Sequence, residues 1–293
     1  MSDTTPPREA LRKLPVIQTV REAYVRVFRN PRLVARASLM PFSLSMALIA
    51  LGFSVPVTSS LGILSAILGL LPYTFFGVAW HRLTLLGPVA GAPPLLPAWR
   101  QRHWRFLGYL LAVMLIGYAA IAMVFSLAFA VVQPEIEAMS AGLGLMIFAG
   151  TAILAFIMAR LSFVFPAVSV DESYRLRHAW THTKGQGLRL IGATLLASAP
   201  MVALIWAVSG ILGALLISAP AAVPGQDGLP PEARAQAFVD ANLGALMLTQ
   251  AVGAAINYVL MALMVSVISI AFRTCTGWVP AASGAVTPDG EKS

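Results

Sequence analysis

The sequence predicts an all-α protein of the membrane, a bundle of six spanning helices. Three observations carry this. Charged residues make up only 11% of the 293-residue chain and hydrophobic ones 58%, against about 25% and about 45–50% in soluble domains. Six uncharged apolar stretches recur, each close to or above the roughly 20 residues that a helix needs to cross about 30 Å of hydrocarbon. Basic residues crowd into alternate connections between those stretches.

Taken between flanking charges, the stretches are Ala37 to Val57, Ser60 to Trp80, Phe106 to Val132, the residues between Glu137 and Arg160, Leu190 to Pro220, and Leu243 to Phe272. The tail through Arg36, the segments Trp80 to Arg105 and Arg160 to Arg189, and the tail from Arg273 hold 19 of the 20 Lys and Arg with 7 of the 12 acids, a net of +12. The other two charged connections set Glu135, Glu137, Asp227, Glu232 and Asp240 against Arg234, a net of −4. Positive charge holds a loop inside. Both termini are therefore expected in the cytoplasm, with the acidic connections outside. The formal charge of +8 is then a topological signal that adds attraction for anionic headgroups, and nucleic acid is not an expected partner. The first apolar stretch is span-length and no A-x-A site closes it, so it is expected to stay as an anchor. A single cysteine, Cys275, excludes an internal disulfide. The excess of Arg over Lys, 17 to 3, points to a bacterial inner membrane.

Residues 1–17 and 281–293 read as tails around one membrane domain, 18–280. Ahead of the first span, Val20, Tyr24, Val27 and Phe28 share a helical face while Arg26 and Arg29 take the other, the pattern of a helix lying in the interface. Ala98-Trp99 and Ala179-Trp180, each followed by basic residues, precede the third and fifth spans as Ala23-Tyr24 precedes the first. The even spans end on Arg82, Arg160 and Arg273, with Pro88, Pro166 and Pro280 six, six and seven residues later. The pattern predicts a threefold pseudo-repeat: interfacial helix, span, short outer connection, span, and a proline that stops the helix.

The stretch from Ala159 to Leu196 resembles the membrane domain of some glycerophosphodiester phosphodiesterases and of stand-alone YciC-like inner-membrane proteins. The matching features are Arg160, Pro166, Trp180, Gly185 or Gly187, and the Arg29-Asn30-Pro31 close of the first amphipathic segment. The resemblance implies a membrane domain of that kind; the phosphodiesterase domain has no counterpart here, so it implies no such activity.

Candidate sites are few. Arg82, Arg160 and Arg273, with Trp80, Trp99, Trp104 and Trp180, are expected at the inner headgroup level, facing anionic lipid. Gln250 and Asn257 lie seven apart on one face of the sixth span and read as interhelical hydrogen-bonding groups. His178 and His182 have the four-residue spacing of metal ligands but lack the intervening glutamate of H-E-x-x-H and a neighbouring third ligand. No ionisable group lies deep in a span, which disfavours proton-coupled transport. No catalytic set, metal or cofactor is expected. The expected function is organisation or sensing of the lipid and envelope environment, without catalysis; the alternative is a transporter or flippase for an amphiphile.

Overall fold

A computed structural model describes residues 13–54, 64–65, 67–90, 98–131, 136–218 and 231–280. The described chain forms α1 (Val16–Phe28), α2 (Pro31–Ser54), α3 (Leu70–Ala90), α4 (Gln101–Val131), α5 (Ile136–Leu161), α6 (Val164–Ser169), α7 (Leu176–His182), α8 (Gly187–Ser218) and α9 (Pro231–Thr276), and no strand. Five segments are long and apolar enough to cross a membrane: Pro31–Phe53, Gln101–Val124, Ile147–Ser169, Gly187–Ala214 and Ala237–Thr276. The expected second span, Ser60 to Trp80, falls partly outside the described residues, and its second half is the start of α3.

Helices begin earlier than the charges suggested. α2, α4 and α8 start at Pro31, Gln101 and Gly187 and carry Arg32 and Arg36, Arg102 and Arg105, and Arg189 in their opening turns. Nothing in a charge breaks a helix, and arginine is a good helix former. One consequence corrects an expectation: Gln101–Val131 is continuous, so among the described residues no separate interfacial helix precedes the third span, whereas α1 and the short α7 are separate elements. The packed chain also starts before residue 18, because Leu14 is fully buried; the rest of the two expected tails, 1–12 and 281–293, lies outside the described residues.

The stops differ from expectation as well. α3 is broken at Gly87, whose φ of +81° is a left-handed conformation that glycine adopts without the clash of a Cβ, with Pro88 following. Gly277, at φ +68°, follows α9 in the same way, with Pro280 beyond it. Pro166 does not end a helix: it sits in the first turn of α6, where its missing N–H would have had no intrahelical partner.

Three antiparallel pairs of neighbours in sequence, α2 with α3, α4 with α5 and α8 with α9, pack on one another, and α9 also takes α1, α2 and α3 against its side. The buried core lies toward one end of this bundle. One cluster joins Leu14, Val20, Ala23, Phe163, Leu190 and Phe272; another joins Val27, Phe76, Trp80, Tyr258 and Leu263; a third joins Val78, Phe106, Val164 and Val168. All three draw on the segments beside the arginines. Toward the other end Tyr118, Met123, Leu145, Phe148, Trp206 and Leu248 are exposed, an apolar surface far larger than water-soluble chains leave open.

Close approach sets the spacing of α3 and α4. A Cβ at Gly77 would lie 2.7 Å from Phe106 Cζ, and that ring is buried beside His81 and Phe165, so it has little room to retreat. Gly77→Leu is expected to cost about 1–3 kcal/mol of stability in detergent, the usual penalty of overpacking, whereas the same change at Gly210, where nothing lies within 4 Å, should be near neutral. Equal melting temperatures for the two variants would contradict the packing.

Candidate functional site

The arginine-rich end is where distant elements are tied together. α1 buries its Thr19, Val20, Ala23 and Val27 stripe against α8 and α9, and the Tyr24 hydroxyl donates to the Ala197 carbonyl of α8 at 2.9 Å. Its apolar face is thus turned mostly into the protein rather than into acyl chains; Ile17, Val25 and Phe28 are left exposed. The segment before it is pinned too: Leu14 N–H donates to Gln186 Oε1 at 3.1 Å, and Arg189 Nη1 donates to the Leu14 carbonyl at 3.1 Å.

Each of the three span-end arginines is held by protein groups of another element. Arg82 donates to the Ser169 carbonyl at 3.1 Å and lies 3.5 Å from Asp171, which Arg102 approaches to 2.9 Å. Asp171 has a φ of +65°, a left-handed position that Asp tolerates better than most residues. The Arg102 Nη1 is close to the carboxylate yet not aligned as a hydrogen bond, so this is a Coulombic contact between one carboxylate and two guanidinium groups. Arg160 stacks over the Trp180 ring with its guanidinium carbon 3.7 Å from the centroid, donates from Nη2 to the Trp180 carbonyl, and reaches Thr183 Oγ1 at 3.3 Å. Arg273 pairs with Glu22 of α1 at 3.0 Å, a carboxylate shared with Arg26 at 3.4 Å. Arg82, Arg160 and Arg273 therefore brace the α6–α7 connection, α7 and α1 in turn.

The tryptophans divide. Trp80 is fully buried, stacked on Phe76 with its indole N–H donating to Ser266 Oγ at 2.9 Å. It cannot meet a headgroup, and that expectation is corrected: its side of α3 is turned against α9 instead. Trp99 is half-buried, edge-on to Phe75 and stacked on His103. Trp104 and Trp180 are exposed at 64% and 40%.

The Gly185 and Gly187 pair has two distinct roles. Gly185 has φ +74° in the turn between α7 and α8, and Gly187 lets α8 approach α5 so closely that a Cβ would sit 2.6 Å from Phe156 Cε2. His178 and His182 both lie against Tyr174, whose hydroxyl is 2.7 Å from His182 Nδ1. Burial holds the Tyr174 phenol well above its ordinary range, and burial, with His178 as a smaller cause, holds His182 below the ordinary imidazole range. The two therefore make a neutral hydrogen bond at neutral pH. Among the described residues no three of His, Cys, Asp and Glu converge as metal ligands would. Gln250 is exposed, Asn257 is half-buried, and neither is hydrogen-bonded to a described residue, so the interhelical bonds expected of them are not made within the described chain.

Sequence reasoning missed Asp171, Arg102, Glu22 and the buried His81, whose Nδ1 lies 2.7 Å from Ser269 Oγ. Comparison with protein-family models, with curated proteins and with solved structures yields no match to this chain.

Proposed function

We propose that this chain is a non-enzymatic multi-pass protein of a bacterial inner membrane that organises or senses its lipid environment from the cytoplasmic interface. The observation that carries the reading is the one-sided build of the bundle: core, ion pairs and long-range hydrogen bonds gather beside the arginines, while the helices beyond leave their apolar side chains open. Such a body is braced in the headgroup layer and bathed by lipid along its length. The full reading has six spans, with Ser60 to Trp80 as the second, both termini inside, and kinship to the YciC-like and phosphodiesterase-linked membrane domains. The three packed helix pairs favour a threefold repeat of two-span units; the continuous α4 counts against the interfacial helix in its second unit.

Reporter fusions after Ser140 and Pro230 are expected to read external, and fusions after Gly91 and Lys184 internal. A cytoplasmic reading at Pro230 sinks the topology. The lipid reading is tested by thermal stability in vesicles: each basic group near an anionic surface contributes about 1 kcal/mol, so phosphatidylglycerol vesicles should raise the melting temperature above that in phosphatidylcholine, and the gain should shrink with salt. No difference between the two rejects the interface role. The transporter or flippase alternative has Gln250 and Asn257 in its favour, two amides without described partners; lipid scrambling in proteoliposomes that disappears on replacing both by Leu would select it.

A further inference from the structure

Beside the elbow between α1 and α2 the surface holds a groove of about 450 Å³, walled by Val27, Phe28, Val34, Leu39 and Phe42 on one side and by Tyr258 of α9 on the other. Its volume falls in the range of about 300–1,000 Å³ typical of small-ligand sites. Its few hydroxyls already have partners: Ser38 Oγ bonds the Val34 carbonyl at 2.9 Å, and Tyr258 bonds Ser45 at 2.8 Å. The groove thus offers a ligand apolar contact and no polar recognition. Arginines border the lining residues in sequence, although none lines the groove itself. Arg29 follows Phe28 at the elbow, and Arg32 and Arg36 follow the lining residues Pro31 and Ala35 along α2. These three are exposed and, unlike Arg26, Arg82, Arg102 and Arg273, form no ion pair with a described carboxylate.

We propose that this groove holds one acyl chain of an anionic phospholipid whose phosphate is held by Arg29, Arg32 and Arg36. The inference rests on the membrane reading above and narrows it from a surface to one site. An apolar trough bordered in sequence by three exposed arginines is complementary to an amphiphile with an anionic head, and a guanidinium matches phosphate oxygens in geometry as well as charge. A free phosphate would use the arginines and leave the trough unfilled. A second copy of the chain fits less well, because a copy in the same orientation brings its own arginine-rich end to the same depth, like charge against like. The bound chain would lie along α2 beside Tyr258 of α9, on the surface of a seam that α2 and α9 already close through Ser45 and Tyr258.

The test is native mass spectrometry of the full chain in mild detergent, titrated with palmitoyl-oleoyl phosphatidylglycerol, the matching phosphatidylcholine, and glycerol 1-phosphate. One phosphatidylglycerol should bind ahead of the rest, without competition from glycerol 1-phosphate. Ser38→Trp, which fills the trough, should abolish that preferred site, and Ala35→Phe should do the same if Ser38→Trp melts early. Replacing Arg29, Arg32 and Arg36 by Gln should weaken phosphatidylglycerol by roughly two orders of magnitude, at about fivefold for each basic group near an anionic surface, and leave phosphatidylcholine unchanged. Competition by glycerol 1-phosphate, or unchanged binding in folded trough-filling variants, overturns the groove. A dimer that dissociates in Ser38→Trp overturns it too, in favour of a second copy. The interface reading survives any of these if phosphatidylglycerol vesicles still stabilise the Ser38→Trp protein, so the two failures are distinguishable.

Discussion

Trp80→Ala is expected to be among the most damaging single substitutions in the chain, costing about 3–5 kcal/mol, the range for emptying a buried aromatic site. The side chain has no exposed surface. Its loss removes the stack on Phe76, opens a cavity between α3 and α9, and leaves Ser266 Oγ without the indole donor 2.9 Å away. A buried hydroxyl left unpartnered adds about 1–3 kcal/mol at most, and Ser266→Ala in the same background would remove that component. Trp104→Ala is the control: with 64% of the residue exposed, it should stay within about 0.5 kcal/mol of the parent. The measurement is unfolding of the full chain in detergent micelles, followed by circular dichroism. If both variants unfold together near the parent, Trp80 is an ordinary interfacial tryptophan and the core assignment is lost.

The contrast between these two tryptophans marks what a sequence can carry. An uncharged run measures the length of chain that lipid can accept, which is why five of the six expected spans overlap helices long and apolar enough to cross a membrane. Charge is a poorer guide to where a helix starts: Arg32, Arg102 and Arg189 sit in first turns, because a helix crossing the headgroup layer can keep its arginines solvated while its backbone bonds continue. Burial at a span end depends on which neighbour arrives there. Trp80 and Trp104 have similar surroundings in sequence, aromatic and basic, yet α9 covers only the first. The arginine partners were hidden for the same reason. Asp171 stands 89 positions from Arg82 and Glu22 stands 251 from Arg273, with no local pattern joining them. The one local hint was composition, since Glu22, Asp171 and Glu172 are the only acids among the described residues of the basic segments, and each guanidinium-rich surface had few carboxylates to choose from. The exposed arginines beside the groove show the same shortage: among the described residues of their segment the acid available to Arg29, Arg32 and Arg36 is Glu22, which Arg26 and Arg273 take.

Asp171→Asn is expected to loosen the junction of α3, α4 and the α6–α7 connection by about 1–2 kcal/mol. Breaking a fully buried ion pair costs about 3–5 kcal/mol, but the Asp171 side chain is 54% exposed while those of Arg82 and Arg102 are 26% and 13% exposed, so water screens much of the loss. What remains is largely repulsion, because the change leaves two mostly covered guanidinium groups near each other without the carboxylate that both approach. The series Asn, Gly and Ala separates charge from backbone. Asn keeps a residue that accepts φ +65° and removes only the charge; Gly removes the charge and relieves the left-handed strain; Ala removes the charge and adds about 1 kcal/mol of strain. The expected order of stability is therefore Asp, then Asn and Gly together, then Ala. A second arm isolates the electrostatic part: Arg82→Gln in the Asp171→Asn background should recover stability by removing one of the two unpaired cations, whereas Arg82→Gln alone should lower it. A double variant less stable than both singles would mean that Arg82 acts through its bond to the Ser169 carbonyl and not through the carboxylate. High salt should bring Asp171→Asn toward the parent and leave the Ala deficit partly in place, since screening acts on the guanidinium repulsion and not on φ.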